Sequence, residues 1–147
     1  NTFLGKTSLI FMGAPHIKGS KNALVEFKLS NMLTLFIPER ISPNNNLNSI
    51  CIKIGDNEVF YPGDSKFYMF EDYLDNVSML VAPHHGGEAG NLKSLRSKNI
   101  NSIVVNTYHK NVKSNIYKKN LRDYYNNCNG LHISKGNTGK IFLRKII

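Results

Sequence analysis

Ser78-Met79-Leu80-Val81-Ala82-Pro83-His84-His85-Gly86-Gly87 is the stretch on which the fold turns. Ser78 to Ala82 reads as a short strand of the buried type, and Pro83, which lacks a backbone N–H, ends it. Two histidines and two glycines follow at once. Glycine lets the backbone approach a site closely. Loops at strand ends are where a rigid sheet presents side chains to a ligand.

Working outward, two more strings sit at predicted strand ends. Tyr61-Pro62-Gly63-Asp64 follows a strand over Glu58 to Tyr61, and Asn106-Thr107-Tyr108-His109 follows one over Ile103 to Asn106. One Asp and three His at neighbouring strand ends can meet at one point. Neutral imidazole nitrogen and carboxylate oxygen are the usual ligands of zinc and similar divalent ions. A metal so held lowers the pKa of water, and two metals about 3.5–4 Å apart can clamp a phosphate or carbonyl oxygen. Each residue also has a plain reading. Asp64 fits a turn or the N-cap of a following helix. His84, His85 and His109 fit solvated loop positions.

The rest of the chain supplies the sheet. Ser8 to Met12 reads as a strand. Ala23 to Leu29 alternates, yet both of its faces carry apolar residues, with Leu24 on one and Val25, Phe27 and Leu29 on the other. Leu33 to Ile37 is an apolar run stopped by Pro38. Ser49 to Ile54 and Glu58 to Tyr61 form a hairpin around Gly55-Asp56-Asn57. Phe67 to Leu74 has helical spacing, with Phe67, Phe70, Tyr73 and Leu74 on one side. Asn91 to Arg96 is one helical turn or two. Ser114 caps a helix from Asn115 to about Asn126, with Ile116, Leu121, Tyr124 and Tyr125 inward. Leu131 to Ser134 and Lys140 to Arg144 close the chain as strands. The expectation is an α/β (α+β) fold, a mixed sheet with flanking helices, in one domain over residues 1–147.

Composition narrows the classes. At 147 residues and 41% hydrophobic content a core is affordable. No apolar run is long enough for a transmembrane helix, and no secretory signal is visible, so a cytoplasmic location is expected. Asn1 in place of Met suggests a fragment. Cys51 and Cys128 make no disulfide framework, and Cys51 reads as a buried small hydrophobe. The net charge is +9, with much of the excess late, at Lys93, Arg96, Lys98, Lys110, Lys113, Lys118, Lys119 and Arg122. Such a surface attracts nucleic acid or other polyanions, and equally describes a solvated helix face.

From Thr34 to Ile141, roughly three quarters of the chain, the order of motifs resembles the second half of the metallo-β-lactamase superfamily. The likeness is strongest to the branch holding ComEC-type DNA-uptake proteins and phosphorylcholine-esterase-like enzymes. Asn48-Ser49 leads to Gly63-Asp64, then His84-His85-Gly86, then His109, in that branch's order and spacing. The resemblance implies half of an αββα sandwich and a hydrolase with two divalent metal ions, zinc or else manganese or iron. It makes Asp64 the bridging carboxylate, His84 a ligand of one metal and His109 of the other. His85 becomes the catalytic residue that stabilises or protonates the leaving group, while Asn106 or Tyr108 lines the substrate pocket or holds a supporting hydrogen bond. The superfamily's His-x-His-x-Asp-His motif is absent: the other histidines are only His16 and His132. The expected partner is therefore an N-terminal half or second chain carrying that motif. Nucleic acid or another phosphorylated compound is the expected substrate. The alternative is an inactive module of this fold that binds nucleic acid or a protein through its basic surface.

Overall fold

The computed structural model describes residues 24–39, 43, 48–107, 115–135 and 141–145. The strand expected over Ser8 to Met12, and also His16, Tyr108 and His109, lie outside the described residues. Eight strands form one sheet in sequence order: β1 Leu24–Ser30, β2 Leu33–Pro38, β3 Cys51–Ile54, β4 Val59–Tyr61, β5 Met79–Val81, β6 Ser102–Thr107, β7 Gly130–Lys135 and β8 Ile141–Lys145. The first four pair antiparallel, with tight turns joining β1 to β2 and β3 to β4. From β4 to β7 the strands run parallel, and β8 returns antiparallel. The expected mixed α/β (α+β) sheet is therefore present.

The hairpin between β3 and β4 turns through Gly55 at φ 69° and Asn57 at φ 62°, the two residue types that tolerate that region best. Asn57 and Glu58 carbonyls then accept the Ser78 and Met79 amides, at 2.8 Å each, which aligns β5 on β4. Parallel strands need crossovers. The first holds helix α1, Phe67–Phe70, and a 3-10 turn, Glu71–Tyr73; the second a 3-10 stretch, Lys93–Lys98; the third helix α2, Asn115–Asn126.

Two helix expectations need correction. Phe67 to Leu74 is not one α-helix: it tightens to 3-10 after Phe70. Inward residues at 67, 70 and 73 are spaced for three residues per turn, and 3-10 geometry stacks them on one line. In α2 the buried stripe is Tyr117, Asn120 and Tyr124, while Ile116 is 51% exposed.

The helices cover one face of the sheet. Phe36, Phe60, Leu80 and Ile103 on that face join Phe67, Phe70, Leu74, Leu95, Tyr117 and Tyr124 in one buried cluster. Ring pairs fix its centre, with Phe60–Phe70 at 5.5 Å and Phe36–Tyr73 at 4.5 Å. The opposite face is apolar too. Phe27, Leu35, Ile52 and Tyr61 stand opposite one another across four strands, and Val81 opposes Val104. Ile54 and Tyr61 on that face are each 44% exposed. Among the described residues no helix is long and apolar enough to cross a membrane.

Candidate metal centre

β4, β5 and β6 are parallel neighbours, so their C-terminal ends share one edge of the sheet. The loop after β4 carries Asp64, the loop after β5 carries His84 and His85, and β6 ends past Asn106. In open parallel sheets this is the edge where ligands bind.

Gly63, at φ 58°, turns the chain after Pro62. The Asp64 amide then donates to Ser49 Oγ at 3.2 Å, and Ser65 Oγ donates to the Ser49 carbonyl at 3.2 Å. Ser65 is fully buried and lies 3.4 Å from Cys51 Sγ. Burial pushes the Cys51 thiol up to about 11, so this sulfur stays protonated and inert. Lys66, not Asp64, stands at the N-cap of α1, and no side chain caps it. With its amide held by Ser49, Asp64 presents a half-exposed carboxylate to the sheet edge.

The loop after β5 is strained. His84 has φ 50°, ψ 35° and His85 has φ 54°, ψ 31°, both left-handed, and Gly86 follows at φ 83°. A left-handed turn costs a non-glycine residue roughly 1–2 kcal/mol. The Gly87 amide closes the turn on the His84 carbonyl at 2.8 Å. Backbone strain of this kind persists only where the surroundings enforce it, and it gathers at functional sites.

Three links stitch this loop to the Asp64 loop. The His84 amide donates to the Gly63 carbonyl at 3.2 Å, and the Phe67 amide to the Ala89 carbonyl at 2.8 Å. Lys66 Nζ reaches both the Glu88 carboxylate, at 2.8 Å, and the Glu88 carbonyl, at 3.1 Å. The hydrogen bond and charge of Lys66 hold the Glu88 carboxyl below its ordinary range.

The result is a carboxylate beside an imidazole: His84 Nδ1 stands 3.9 Å from Asp64 Oδ1. Burial lowers the His84 pKa against the opposing pull of Asp64, so the ring is neutral at pH 7. Its Nε2 is buried and has no hydrogen-bond partner among the described residues. His85 Nδ1 lies 3.0 Å from the Asn106 carbonyl. A carbonyl only accepts, so Nδ1 carries the hydrogen and Nε2 the lone pair or the second proton.

Asp64 and His84 thus lie side by side, with His85 adjacent in the chain. Asn106 contributes its backbone carbonyl, and its exposed side chain is not what holds His85. Tyr108 and His109 lie outside the described residues. Among the described residues no group of three or more His, Cys, Asp or Glu side chains surrounds one point. His132 sits on β7 opposite Val104, within the sheet. Ser49, which supports the Asp64 loop, belongs to the Asn48-Ser49 string already noted, whereas Lys66, Glu88 and Asn120 carry no motif. Asn120 alone leaves a trace, as a polar residue on the buried stripe of a helix.

The pair fits a divalent metal by donor type. It offers one carboxylate and one neutral imidazole whose Nδ1 faces that carboxylate. Two ligands bound at about 2.0–2.1 Å to one tetrahedral ion lie roughly 3.3 Å apart, a little less than the gap between these two atoms. No family model, no curated protein and no solved structure matches this chain.

Proposed function

We propose that this chain is the C-terminal half of a metal-dependent hydrolase with the metallo-β-lactamase fold, completed by a second half that carries His-x-His-x-Asp-His. The observation that carries the reading is the Asp64–His84 pair at 3.9 Å across two adjacent strand ends. The left-handed His84-His85 backbone supports it, because strain at a sheet's ligand edge needs a functional reason. The second apolar face of the sheet also supports it, since a sheet must bury such a face against another layer.

In this reading Asp64, His84 and His109 hold two divalent ions, zinc or else manganese or iron, together with the other half's histidines. Zinc supplies Lewis acidity and activates water near neutral pH. His85 is held by the Asn106 carbonyl so that Nε2 faces the substrate and delivers a proton to the leaving oxygen. Asn106 or Tyr108 would line the substrate pocket or hold a supporting hydrogen bond, as the resemblance implies. The net charge of +9 favours a phosphodiester. Free Cys51 and Cys128 accord with the cytoplasmic location we assign. The test is zinc and manganese binding by the chain reconstituted with a polypeptide bearing the missing motif. Metal bound by wild type and lost on Asp64→Asn supports the reading, and a reconstituted pair that binds no metal refutes it.

A second reading rests on a separate observation. Lys93 and Arg96 on the 3-10 stretch and Lys118 and Arg122 on α2 are exposed, on two elements that pack together. An inactive module that binds nucleic acid there would show salt-sensitive binding that survives His84→Ala and chelator. Binding abolished by chelator would count against it.

A further inference from the structure

Helix α2 places a single polar side chain on its buried stripe. Asn120 is 2% exposed between Tyr117 and Tyr124. A carboxamide so buried must find a hydrogen-bond partner. Its Nδ2 donates to the carbonyl of Gly87, which ends the histidine turn. The Gly87 amide is already spent on the His84 carbonyl. Both polar groups of Gly87 are therefore fixed, one inside the turn and one on the helix.

The same helix face presses on the neighbouring residue. A Cβ on Gly86 would lie 2.9 Å from Tyr117 Cε2 and 2.6 Å from Val105 Cγ1. The turn is clamped at its end by one hydrogen bond and one steric wall. Two consecutive left-handed residues other than glycine relax unless their surroundings hold them. Among the described contacts at this end of the turn, Asn120 supplies the side-chain donor to Gly87 and Lys66 the one to Glu88.

We infer that Asn120 is a positioning residue: by holding the Gly87 carbonyl it keeps His84 and His85 in the left-handed conformation that sets His84 beside Asp64 and His85 against the Asn106 carbonyl. A donor is required. Aspartate has the shape but, when ionised, no hydrogen to give, and alanine has neither. The metal-related part of this inference rests on the function proposed above, whereas the conformational part stands on the turn itself.

The experiment uses the full chain labelled with nitrogen-15. Positive φ brings Hα close to its own amide hydrogen, so His84 and His85 should each show a strong intraresidue HN–Hα cross-peak. In wild type, one Asn120 side-chain amide hydrogen should exchange slowly with solvent; a fast-exchanging one overturns the inference without any variant being made. Asn120→Asp and Asn120→Ala should both weaken the two cross-peaks. Both should also lower zinc affinity, measured against a chromophoric chelator, by about tenfold to a hundredfold, the usual effect of losing a support to a metal ligand. Ile100→Val, a core change outside the turn, should leave both readouts at wild-type values. Folded Asn120 variants that keep the cross-peaks overturn the inference. If the cross-peaks weaken but wild type, reconstituted with the missing motif, binds no zinc, the metal reading fails and the positioning role stands.

Discussion

Replacing Gly86 by alanine measures how hard the histidine turn is pressed into the fold. At φ 83° an alanine is strained by about 1–2 kcal/mol. Its Cβ would also meet Val105 Cγ1 at 2.6 Å and Tyr117 Cε2 at 2.9 Å. Val105 and Tyr117 are 0% and 1% exposed, so neither can swing into solvent. Overpacking of this kind costs typically 1–3 kcal/mol. Together the two effects come to about 2–5 kcal/mol. Gly90 is the control, with φ 87° and nothing within 4 Å of an added Cβ. Gly90→Ala should show the strain alone, about 1–2 kcal/mol. For a domain near this size each kcal/mol moves Tm by about 2–4 °C. The expected losses are then about 4–20 °C for Gly86→Ala and about 2–8 °C for Gly90→Ala. Thermal unfolding followed by circular dichroism supplies the midpoints, and urea unfolding with an unchanged m-value confirms that the comparison is fair. Equal shifts for the two variants would refute the close approach of the turn to β6 and α2.

Phe60→Ala removes a fully buried ring between Phe36 and Phe70 and should lose about 3–5 kcal/mol in urea unfolding; a loss under about 1 kcal/mol would contradict the core described here. The Cys51 thiol, raised from 9.0 to about 11, contributes stability that is complete below pH 9 and lost as pH rises through about 11. That loss should be roughly 2–3 kcal/mol and absent in Cys51→Ala, and alkylation of Cys51 at pH 8 should proceed only as fast as the chain unfolds. His84 has the opposite sign: its folded pKa is lowered, so below about 6.5 the unfolded ring takes up a proton first and stability falls. His84→Asn, which tolerates the left-handed backbone, should flatten that acid limb, and an undiminished slope would rule the assignment out.

Strand positions were legible because apolar runs here are short and punctuated. Pro38 and Pro83 stop β2 and β5, and Gly55-Asp56-Asn57 turns the hairpin. The crossovers were read less well. Short segments packed against a sheet adopt whatever pitch puts their bulky residues inward, so Phe67, Phe70 and Tyr73 drew the backbone to 3-10 spacing. Ile116 was read inward on hydrophobicity alone, but the stripe that packs runs through Tyr117, Asn120 and Tyr124. In the candidate site, Asp64 and His84 could be named because catalytic residue types cluster at strand ends. Lys66 and Glu88 could not, because a contact between two loops far apart in the chain leaves no local pattern.

The alternation in β1 carried more information than its weak amphipathicity suggests. A strand in a sheet with one wet face shows polar residues on one side, and Val25, Phe27 and Leu29 do not. The register extends that side across β2, β3 and β4 through Leu35, Ile52 and Tyr61, away from both helices. Apolar residues exposed on that side, such as Ile54 and Tyr61 at 44% each, are a liability where nothing covers them. The same surface is what a second sheet needs, packed about 10 Å away. In the function proposed above, one second layer bringing its own metal ligands would both cover this side of the sheet and add to the ligands that Asp64 and His84 supply.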